Sequence, residues 1–162
     1  MIKLTPIGII HSPFRQATGT PVQPSAAKGV EGAVEVFEEY AAGLKDLAGF
    51  ERIWLLYWFD RAEVEAPALI VKPYLDNTRR GVFATRAPAR PNPIGLSSVH
   101  LLRIQRNKLD IRDVDILDGT PLLDIKPYVP QFDIFRVARS GWLEGTVTAR
   151  RLADSRFEKK KP

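Results

Sequence analysis

The chain has 162 residues, of which 44% are hydrophobic and 27% are charged, and its 24 lysines and arginines exceed its 19 aspartates and glutamates to give a net charge of +5. This length suits one globular domain. Cysteine is absent and there are 2 histidines, which excludes disulfides, thiolate catalysis and histidine-rich metal sites, so we expect no metal. The longest apolar run, Ile53–Phe59, is far shorter than the roughly 20 residues that span a bilayer, and the N-terminus lacks a signal-peptide pattern. We therefore expect a soluble, cytoplasmic protein without membrane contact.

Short strand-like runs separated by turn signals dominate the chain. Glu38–Leu47 is the one convincing helix, because its apolar residues recur at helical spacing and Gly49 follows as a stop. The pattern predicts a mainly β domain with one short helix, closed into a barrel or a strongly curved sheet. The candidate strands are Ile7–His11, Ala33–Phe37, Ile53–Phe59, Val82–Ala84, Val99–Gln105, Leu109–Leu117, Leu122–Val129 and Trp142–Thr148.

One hairpin is visible in this pattern. Arg106–Lys108 lies between two strand-like runs and predicts their turn. The apolar residues of the second run change parity along it, so a bulge near Arg112 and Asp113 is expected. Such a bulge would turn four residues to the core: Leu109, Ile111, Val114 and Ile116.

The positive charge is unevenly placed. Residues 150–162 hold six basic and two acidic groups, so +4 of the +5 lies there, and we expect a solvated, partly disordered basic tail after a domain of residues 1–149. The domain itself is nearly neutral. Within it, residues 66–104 hold six bases and one acid, and they include the first of two motifs.

The first motif is GVFATRAPARPNPIGLS, residues 81–97. Its three prolines restrain their predecessors to extended geometry and remove backbone donors, so this loop is no amide cradle for phosphate. Binding must come from side chains: Arg86 and Arg90 offer planar forks, and Asn92 can pair with the edge of a base. The plain alternative is a rigid surface turn whose arginines meet nearby acids.

The second motif is LDGTPLLDIKPYVP, residues 117–130, which opens with an Asp-Gly turn. Period two then places Asp124, Lys126 and Tyr128 on one face and a set of core residues, Leu123, Ile125 and Val129, on the other. The polar row could hold a substrate, with the carboxylate as a general base. The alternative is an ordinary solvent face with a weak ion pair.

Three further features have simpler interpretations. Trp54, Tyr57 and Trp58 are expected as core or interface aromatics, since a base-stacking platform would need them exposed. His11 and His100 are expected to be bonded structural histidines. The segment PVQP, residues 21–24, predicts an extended loop, although its glutamine amide could read an adenine.

Five segments together resemble the TrmO family, also called TsaA-like or YaeB-like proteins. They are IGIIHSPF (7–14), PVQP (21–24), GFERIWLLYWF (49–59), GVFATRAPARPNPIGLS (81–97) and DGTPLLDIKPYVP (118–130), and they run in order through most of the chain. The resemblance implies a small single-sheet β-barrel, unlike the Rossmann fold. It also implies S-adenosylmethionine as cofactor, held near a homodimer interface, and tRNA as substrate.

The reaction that the resemblance implies is N6-methylation of threonylcarbamoyl-adenosine beside the anticodon. Site residues follow by motif. The expected cofactor contacts are Pro21, Val22, Gln23, Phe59, Asp60, Arg86, Leu96, Asp118, Gly119, Thr120 and Pro121. The expected reaction residues are Asp124 or Tyr128 for proton transfer, Lys126 to tune it, and Arg90 and Asn92 to position the acceptor.

The chain departs from the family pattern in two ways. Asp60 stands where many members have histidine, and longer members continue into a C-terminal domain that is thought to help with tRNA. Two alternatives follow: a S-adenosylmethionine-dependent methyltransferase for a different or smaller substrate, and a noncatalytic module that binds S-adenosylmethionine or RNA.

Overall fold

Six of the eight strands in the described part of the chain close into one antiparallel barrel. The computed structural model describes residues 2–62, 69–144, 146 and 152–158. The strands are β1 (Gly8–His11), β2 (Glu31–Val36), β3 (Arg52–Trp58), β4 (Ile70–Val71), β5 (Arg80–Gly81), β6 (Ile94–Gln105), β7 (Lys108–Arg112) and β8 (Thr120–Pro127). The barrel order is β1-β2-β7-β6-β3-β8, and β4 and β5 form a separate ribbon. The predicted single-sheet barrel is confirmed, and no helix among the described residues is long and apolar enough to cross a membrane.

The core fills the barrel because alternate residues of each strand point inward. In β3, Ile53, Leu55 and Tyr57 are buried, whereas Arg52 and Trp54 lie on the outer wall. Side chains from all six barrel strands complete this core, including Ile10, Val34, Val99, Leu109 and Leu122, which are fully buried. The outer wall therefore carries the polar and half-buried residues, and the site has to be sought there and in the loops.

The predicted hairpin and parity change are both present. Arg106 adopts φ 55° between β6 and β7, and Asn107 Nδ2 donates to Val36 O at 2.7 Å. Strand β7 ends at Arg112, so the prediction of a continuous strand to Leu117 was wrong. Asp113 has φ 68°, and Val114 N then donates to Val30 O at 3.2 Å. Leu109, Ile111, Val114 and Ile116 are all buried, as expected.

Two other predicted strands are wrong. Val82–Ala84 is a 3₁₀ helix, because the Thr85 amide and hydroxyl both donate to Val82 O, at 3.1 and 2.9 Å, and fold the run back. Gly141–Leu143 is also a 3₁₀ helix, with Gly141 at φ 59°, and residues 145, 147 and 148 of that predicted strand lie outside the described residues.

The predicted helix has a different geometry. Glu38–Leu44 is a 3₁₀ helix, and a second one, Leu47–Gly49, follows after Asp46 at φ 66°. A left-handed residue cannot continue a right-handed helix, so the two turns remain separate. The α-helix that the structure shows among the described residues is a single turn, α1 (Pro130–Asp133).

Part of the expected basic tail is packed. Residues 152–158 lie against the body, and Phe157 is 9% exposed. The expectation of free solvation is thus wrong for these residues, because the charge count overlooked the apolar side chain of Phe157 among the basic ones.

Candidate active site

The loops that carry the motifs emerge at one end of the barrel. Strand register places Trp58, the end of β3, opposite Ile94, the start of β6. Thr120, the start of β8, lies opposite Ile10 near the end of β1. Phe59 N donates to Pro93 O at 2.7 Å, which joins two of these loops directly. Barrel closure therefore brings together segments that are far apart in the sequence.

A cleft of about 550 Å³ lies over the outer wall of β3 and β6. One side is the loop that contains the 3₁₀ helix Pro24–Ala26, and another is formed by Arg86. The cleft is lined by Gln23, Pro24, Ser25, Lys28, Arg52, Trp54, Arg86, Leu96, Ser97, Ser98 and Asp113. Its size falls within the range of roughly 300–1,000 Å³ that is common for small-molecule sites.

An ion pair ties the floor of the cleft to its covering loop. Arg52 Nη1 donates to Asp113 Oδ2 at 2.9 Å, and its Nη2 donates to Ser98 O at 2.8 Å. Gly29 N donates to Asp113 Oδ1 at 2.9 Å. Burial raises the pKa of Asp113, but the Gly29 amide and Arg52 together lower it below its ordinary value. Asp113 is thus ionised and balances Arg52, so that Lys28 and Arg86 leave the cleft positive.

Three of the expected cofactor residues meet in this cleft. Arg86 Nη1 donates to Gln23 Oε1 at 2.7 Å, and Leu96 on β6 lines the same space. Leu96 is 47% exposed although it lies in a strand, so it offers apolar surface to a ligand. These three residues come from separate segments of the chain, which makes their convergence informative.

The other expected cofactor residues lie around the end of the barrel and do not line the cleft. Phe59 stacks edge-on against Tyr57, with ring centroids 5.2 Å apart. The Asp118 turn is held by Arg61, whose Nη2 donates to Asp118 O at 2.7 Å, and Asp118 Oδ1 accepts from Ser12 N at 3.2 Å. The remaining members of the expected set are Pro21, Val22, Asp60, Gly119, Thr120 and Pro121.

The proline-rich loop carries hydrogen bonds between its own residues. Ala87 and Ala89 are buried, whereas Asn92 is exposed. Arg90 Nη1 donates to Thr85 O at 3.0 Å and to Ala87 O at 3.2 Å, so one nitrogen of this expected substrate residue braces its own loop. The predicted stiffness therefore has a second source besides proline.

The polar row of the second motif lies on the outer wall of β8. Lys126 Nζ is 2.8 Å from Asp124 Oδ2, and the Tyr128 ring lies 5.5 Å from the ring of Trp54. As expected, Asp124 and Lys126 lie on the same face of β8, opposite Leu56 and Trp54 of β3. The core residue of the strand is Leu122 and not Leu123, because a register shift between Leu56 and Tyr57 of β3 sets Leu122 opposite Tyr57.

Strand pairing relates this row to the cleft. Leu56 of β3 lies opposite Leu96 on one side and Asp124 on the other. Adjacent strands are about 4.8 Å apart, so the backbones of Leu96 and Asp124 are separated by roughly 10 Å on one wall. Two residues earlier in β3, Trp54 likewise lies between Ser98 of β6 and Lys126 of β8. The cofactor candidates and the proton-transfer candidates therefore flank one strand.

Eight residues that line the cleft were not among the expected site residues: Pro24, Ser25, Lys28, Arg52, Trp54, Ser97, Ser98 and Asp113. The alternation within β3 contained a signal, because an inward Ile53 and Leu55 place Arg52 and Trp54 outward together. Trp54, expected in the core or at an interface, lines the cleft. Lys28 and Asp113 had no comparable signal, since loop folding brings them in.

A buried polar cluster lies next to the cleft. Tyr57 Oη and Ser97 Oγ are 3.1 Å apart, and Asp115 Oδ1 is buried without a hydrogen-bond partner among the described residues. Burial raises the pKa of Asp115 to about 6, which the Ser97 hydroxyl and, more weakly, Arg86 oppose. Burial likewise raises the pKa of Tyr57 far above its ordinary value, so its phenol stays protonated.

The fold and the cleft together define a class: an antiparallel β-barrel with a cleft on its outer wall, in contrast to the strand-end crevice of Rossmann proteins. Residues 9–134 match the tRNA-methyltransferase O N-terminal domain. The chain belongs to this family.

Known proteins support this membership. A probable S-adenosyl-L-methionine-binding protein of Pyrococcus abyssi is 59% identical over 147 residues, which cover 91% of this chain and 79% of that protein. The tRNA (adenine(37)-N6)-methyltransferase of Escherichia coli is 37% identical over 132 residues, or 76% of this chain and 56% of that enzyme. The crystal structure of TrmO from Pseudomonas aeruginosa superposes with a TM-score of 0.73 at 37% identity and covers 88% of this chain and 62% of that one.

Proposed function

We propose that the chain is a S-adenosylmethionine-dependent methyltransferase that acts on N6 of adenine 37 in tRNA, with threonylcarbamoyl-adenosine as the acceptor base. Relatives named for S-adenosylmethionine binding and for this reaction support the cofactor and the tRNA substrate. The observation that carries the proposal is the convergence of Gln23, Arg86 and Leu96 on one cleft.

The donors of the cleft fit the cofactor. Arg86 and Lys28 can pair with the carboxylate of its methionine part. Trp54 and Leu96 offer apolar surface for its adenine, and the Gln23 amide can bond a base edge. When bound, S-adenosylmethionine supplies an electrophilic methyl group on a sulfonium. The protein's task is then to align the acceptor with that methyl and to remove one proton.

Asp124 is the first candidate to receive the proton. An N6 atom that bears a carbonyl substituent is a poor nucleophile and must lose its proton as the new bond forms. Asp124 Oδ2 lies 2.8 Å from Lys126 Nζ, and the two side chains share the outer wall that carries the cleft. Tyr128, packed on Trp54, is the second candidate, and its hydroxyl can relay the proton.

Arg90 and Asn92 would position the acceptor. The Asn92 side chain is exposed, and the guanidinium of Arg90 is partly exposed beyond its bonds to the loop. An arginine fork suits the threonyl carboxylate. Residues 66–104, with six bases and one acid, add attraction for the phosphates of RNA.

We also propose a cytoplasmic homodimer. Helix α1 and the segment after it expose four large apolar side chains close together in the sequence, and such a group favours burial against a second copy. They are Phe132, Ile134, Phe135 and Val137, which are 72%, 61%, 77% and 73% exposed. Light scattering checks this, and replacement of Phe132 and Phe135 by serine should yield monomers; a monomeric unmodified chain contradicts it.

The activity is tested with purified protein, labelled S-adenosylmethionine and total tRNA from a strain that lacks the modification. Mass spectrometry of the nucleosides should show N6-methylated threonylcarbamoyl-adenosine. Cofactor binding without an RNA product would favour a binding module or a smaller substrate instead. Methylation unchanged in both Asp124→Asn and Tyr128→Phe, under single-turnover conditions, would contradict the assigned proton transfer.

The cofactor site is tested separately by calorimetry. Arg86→Ala should weaken S-adenosylmethionine binding by about 10- to 100-fold, since a hydrogen bond to a charged group contributes roughly 1.5–3 kcal/mol. Arg103→Ala is the matched control, because Arg103 is exposed on the β6–β7 hairpin and pairs with Asp110. Equal affinities of the two variants for S-adenosylmethionine would show that the cofactor does not bind in this cleft.

A further inference from the structure

Residues 152–158, named here the C-terminal strap, contact three of the loops that build the site. The strap lies outside the family match, which covers residues 9–134. No motif of the sequence analysis includes it. Each of its three contacts uses different residues and a different kind of interaction.

The first contact is with the loop that leads to Gln23. Leu152 forms a β-bridge with Pro21. Ala153 N donates to Thr20 O at 2.8 Å, and Gly19 N donates to Ala153 O at 2.9 Å. This short ladder fixes the backbone directly before Val22 and Gln23, and Gln23 in turn accepts from Arg86.

The second contact is with the end of the segment that follows β3. Glu158 forms a β-bridge with Ala62, just after the Phe59–Arg61 loop. The Glu158 carboxylate also accepts from Thr18 N at 2.8 Å and from Thr18 Oγ1 at 3.0 Å. One residue of the strap thereby joins two loops.

The third contact is apolar and lies under the proline-rich loop. Phe157 packs in a small cluster with Val71, Val82, Ala87 and Ala89. Its ring stands edge-on to Tyr74, with centroids 5.0 Å apart. Because Ala87 and Ala89 have short side chains, the phenyl ring supplies much of the surface on which this stretch of the loop rests.

Arg156 anchors the strap beside this cluster. Its Nη1 donates to Asp76 O at 3.0 Å and to Pro73 O, and its Nη2 donates to Asp154 Oδ2 at 2.7 Å. Its guanidinium also lies 5.8 Å from the centre of the Tyr74 ring. The strap is therefore held on both sides of Phe157 and cannot easily shift along the surface.

We propose that the strap is a positioning element of the site, and that Phe157 sets the place of Arg86 relative to Gln23. This rests on the proposed function for its consequence in catalysis. The loops concerned contain little regular secondary structure, so their relative placement depends on what packs between them. Misplacement of a reacting group by about 1 Å can slow a reaction by roughly 100-fold.

Phe157→Ala tests the proposal through ligand binding. We expect the barrel to stay folded, the dissociation constant for S-adenosylmethionine to rise at least about tenfold, and kcat to fall. Leu109→Ala is the matched control, because Leu109 is buried in the barrel core on β7, away from the strap. It should lower the unfolding temperature and leave the dissociation constant within about twofold at temperatures where it is folded. Phe157→Leu should restore most of the affinity.

Hydrogen exchange gives a readout that is independent of the activity. The Ala87 amide donates to Thr85 Oγ1 at 3.2 Å, and it should exchange faster in Phe157→Ala but not in Leu109→Ala. Unchanged exchange and unchanged affinity in Phe157→Ala would overturn the positioning role while leaving the proposed function intact. Suppose that exchange is faster in Phe157→Ala but the unmodified protein neither binds the cofactor nor methylates tRNA. The positioning role of the strap would then stand, and the proposed function would be rejected. If Phe157→Ala does not fold, Phe157→Leu is compared with the control by the same two measurements.

Discussion

Replacement of Asp115 by asparagine should make the protein more stable at neutral pH. The carboxyl is buried, Oδ1 has no hydrogen-bond partner among the described residues, and its pKa is raised from 3.8 to about 6 by burial. Between these two values the unfolded chain has released a proton that the folded chain retains. Stability therefore falls as pH rises through this window, and the carboxylate is a cost to the fold above it.

The magnitude follows from the size of the pKa shift. About two pH units at roughly 1.4 kcal/mol each amount to about 3 kcal/mol. Asparagine has nearly the same shape and cannot ionise, so the difference in unfolding free energy between Asp115→Asn and the unmodified chain should be small near about pH 4 and grow by up to about 3 kcal/mol by about pH 7. Urea unfolding at a series of pH values measures this difference.

Asp76→Asn is the control with the opposite sign. Hydrogen bonds from Arg80 and from the Thr78 amide lower the pKa of Asp76 to about 2, so its carboxylate stabilises the fold above the unfolded value and loses that effect only as pH falls towards the folded one. Its destabilisation should be constant from about pH 4 to pH 7. A pH-independent difference for Asp115→Asn over the same range would refute the burial of an ionised carboxyl.

Four further variants test the barrel around the site. Gly95→Ala should destabilise by about 1–3 kcal/mol in urea, since a Cβ there would overlap the Tyr57 ring; wild-type stability contradicts that close approach. Tyr57→Phe should cost about 1–2 kcal/mol by thermal unfolding, because the hydroxyl lies buried beside Ser97, and an unchanged melting point would deny their bond. Leu122→Ala should cost about 2–5 kcal/mol and Leu123→Ala much less, and the reverse order in urea would contradict the observed register.

The local pattern of apolar residues was sufficient to predict the barrel strands but not the short 3₁₀ helices. The alternation in β3 and the apolar runs of β6 and β8 mark their strands because each buries one face. Val82–Ala84 has equally strand-like residues, yet Thr85 bonds back to Val82 and turns it into a 3₁₀ helix. Such a side-chain bond competes with pairing, and apolar periodicity does not register it.

Some residues of the candidate site could likewise be predicted from the sequence, and others could not. Arg86, Gln23 and Leu96 were predicted from a family resemblance, and the structure brings them to one cleft. Lys28 and Asp113 also line it, but they lie in loops whose course is set by contacts with distant segments. Nothing in their immediate neighbours indicates that course.

The strap shows why charge composition misleads at the chain end. Residues 150–162 are dominated by basic groups, which favours a solvated tail. Residues 152–158 dock nevertheless, because Phe157 enters an apolar cluster, Arg156 donates to carbonyls of the adjoining loop, and the strap backbone pairs with two other loops. Net charge predicts whether a segment is solvated only when the fold offers no apolar cluster or carbonyl groups for its side chains to contact.

The relation between cofactor and proton acceptor depends on strand pairing that no local pattern contains. Leu96 and Asp124 belong to separate motifs and meet across Leu56 because β3 is the shared neighbour of β6 and β8. The register shift between Leu56 and Tyr57 sets where along the wall they meet. A one-residue slip would turn Asp124 into the barrel interior, where an unpaired carboxylate is costly. The core packing that excludes this slip therefore also keeps the acid on the same wall as the cleft.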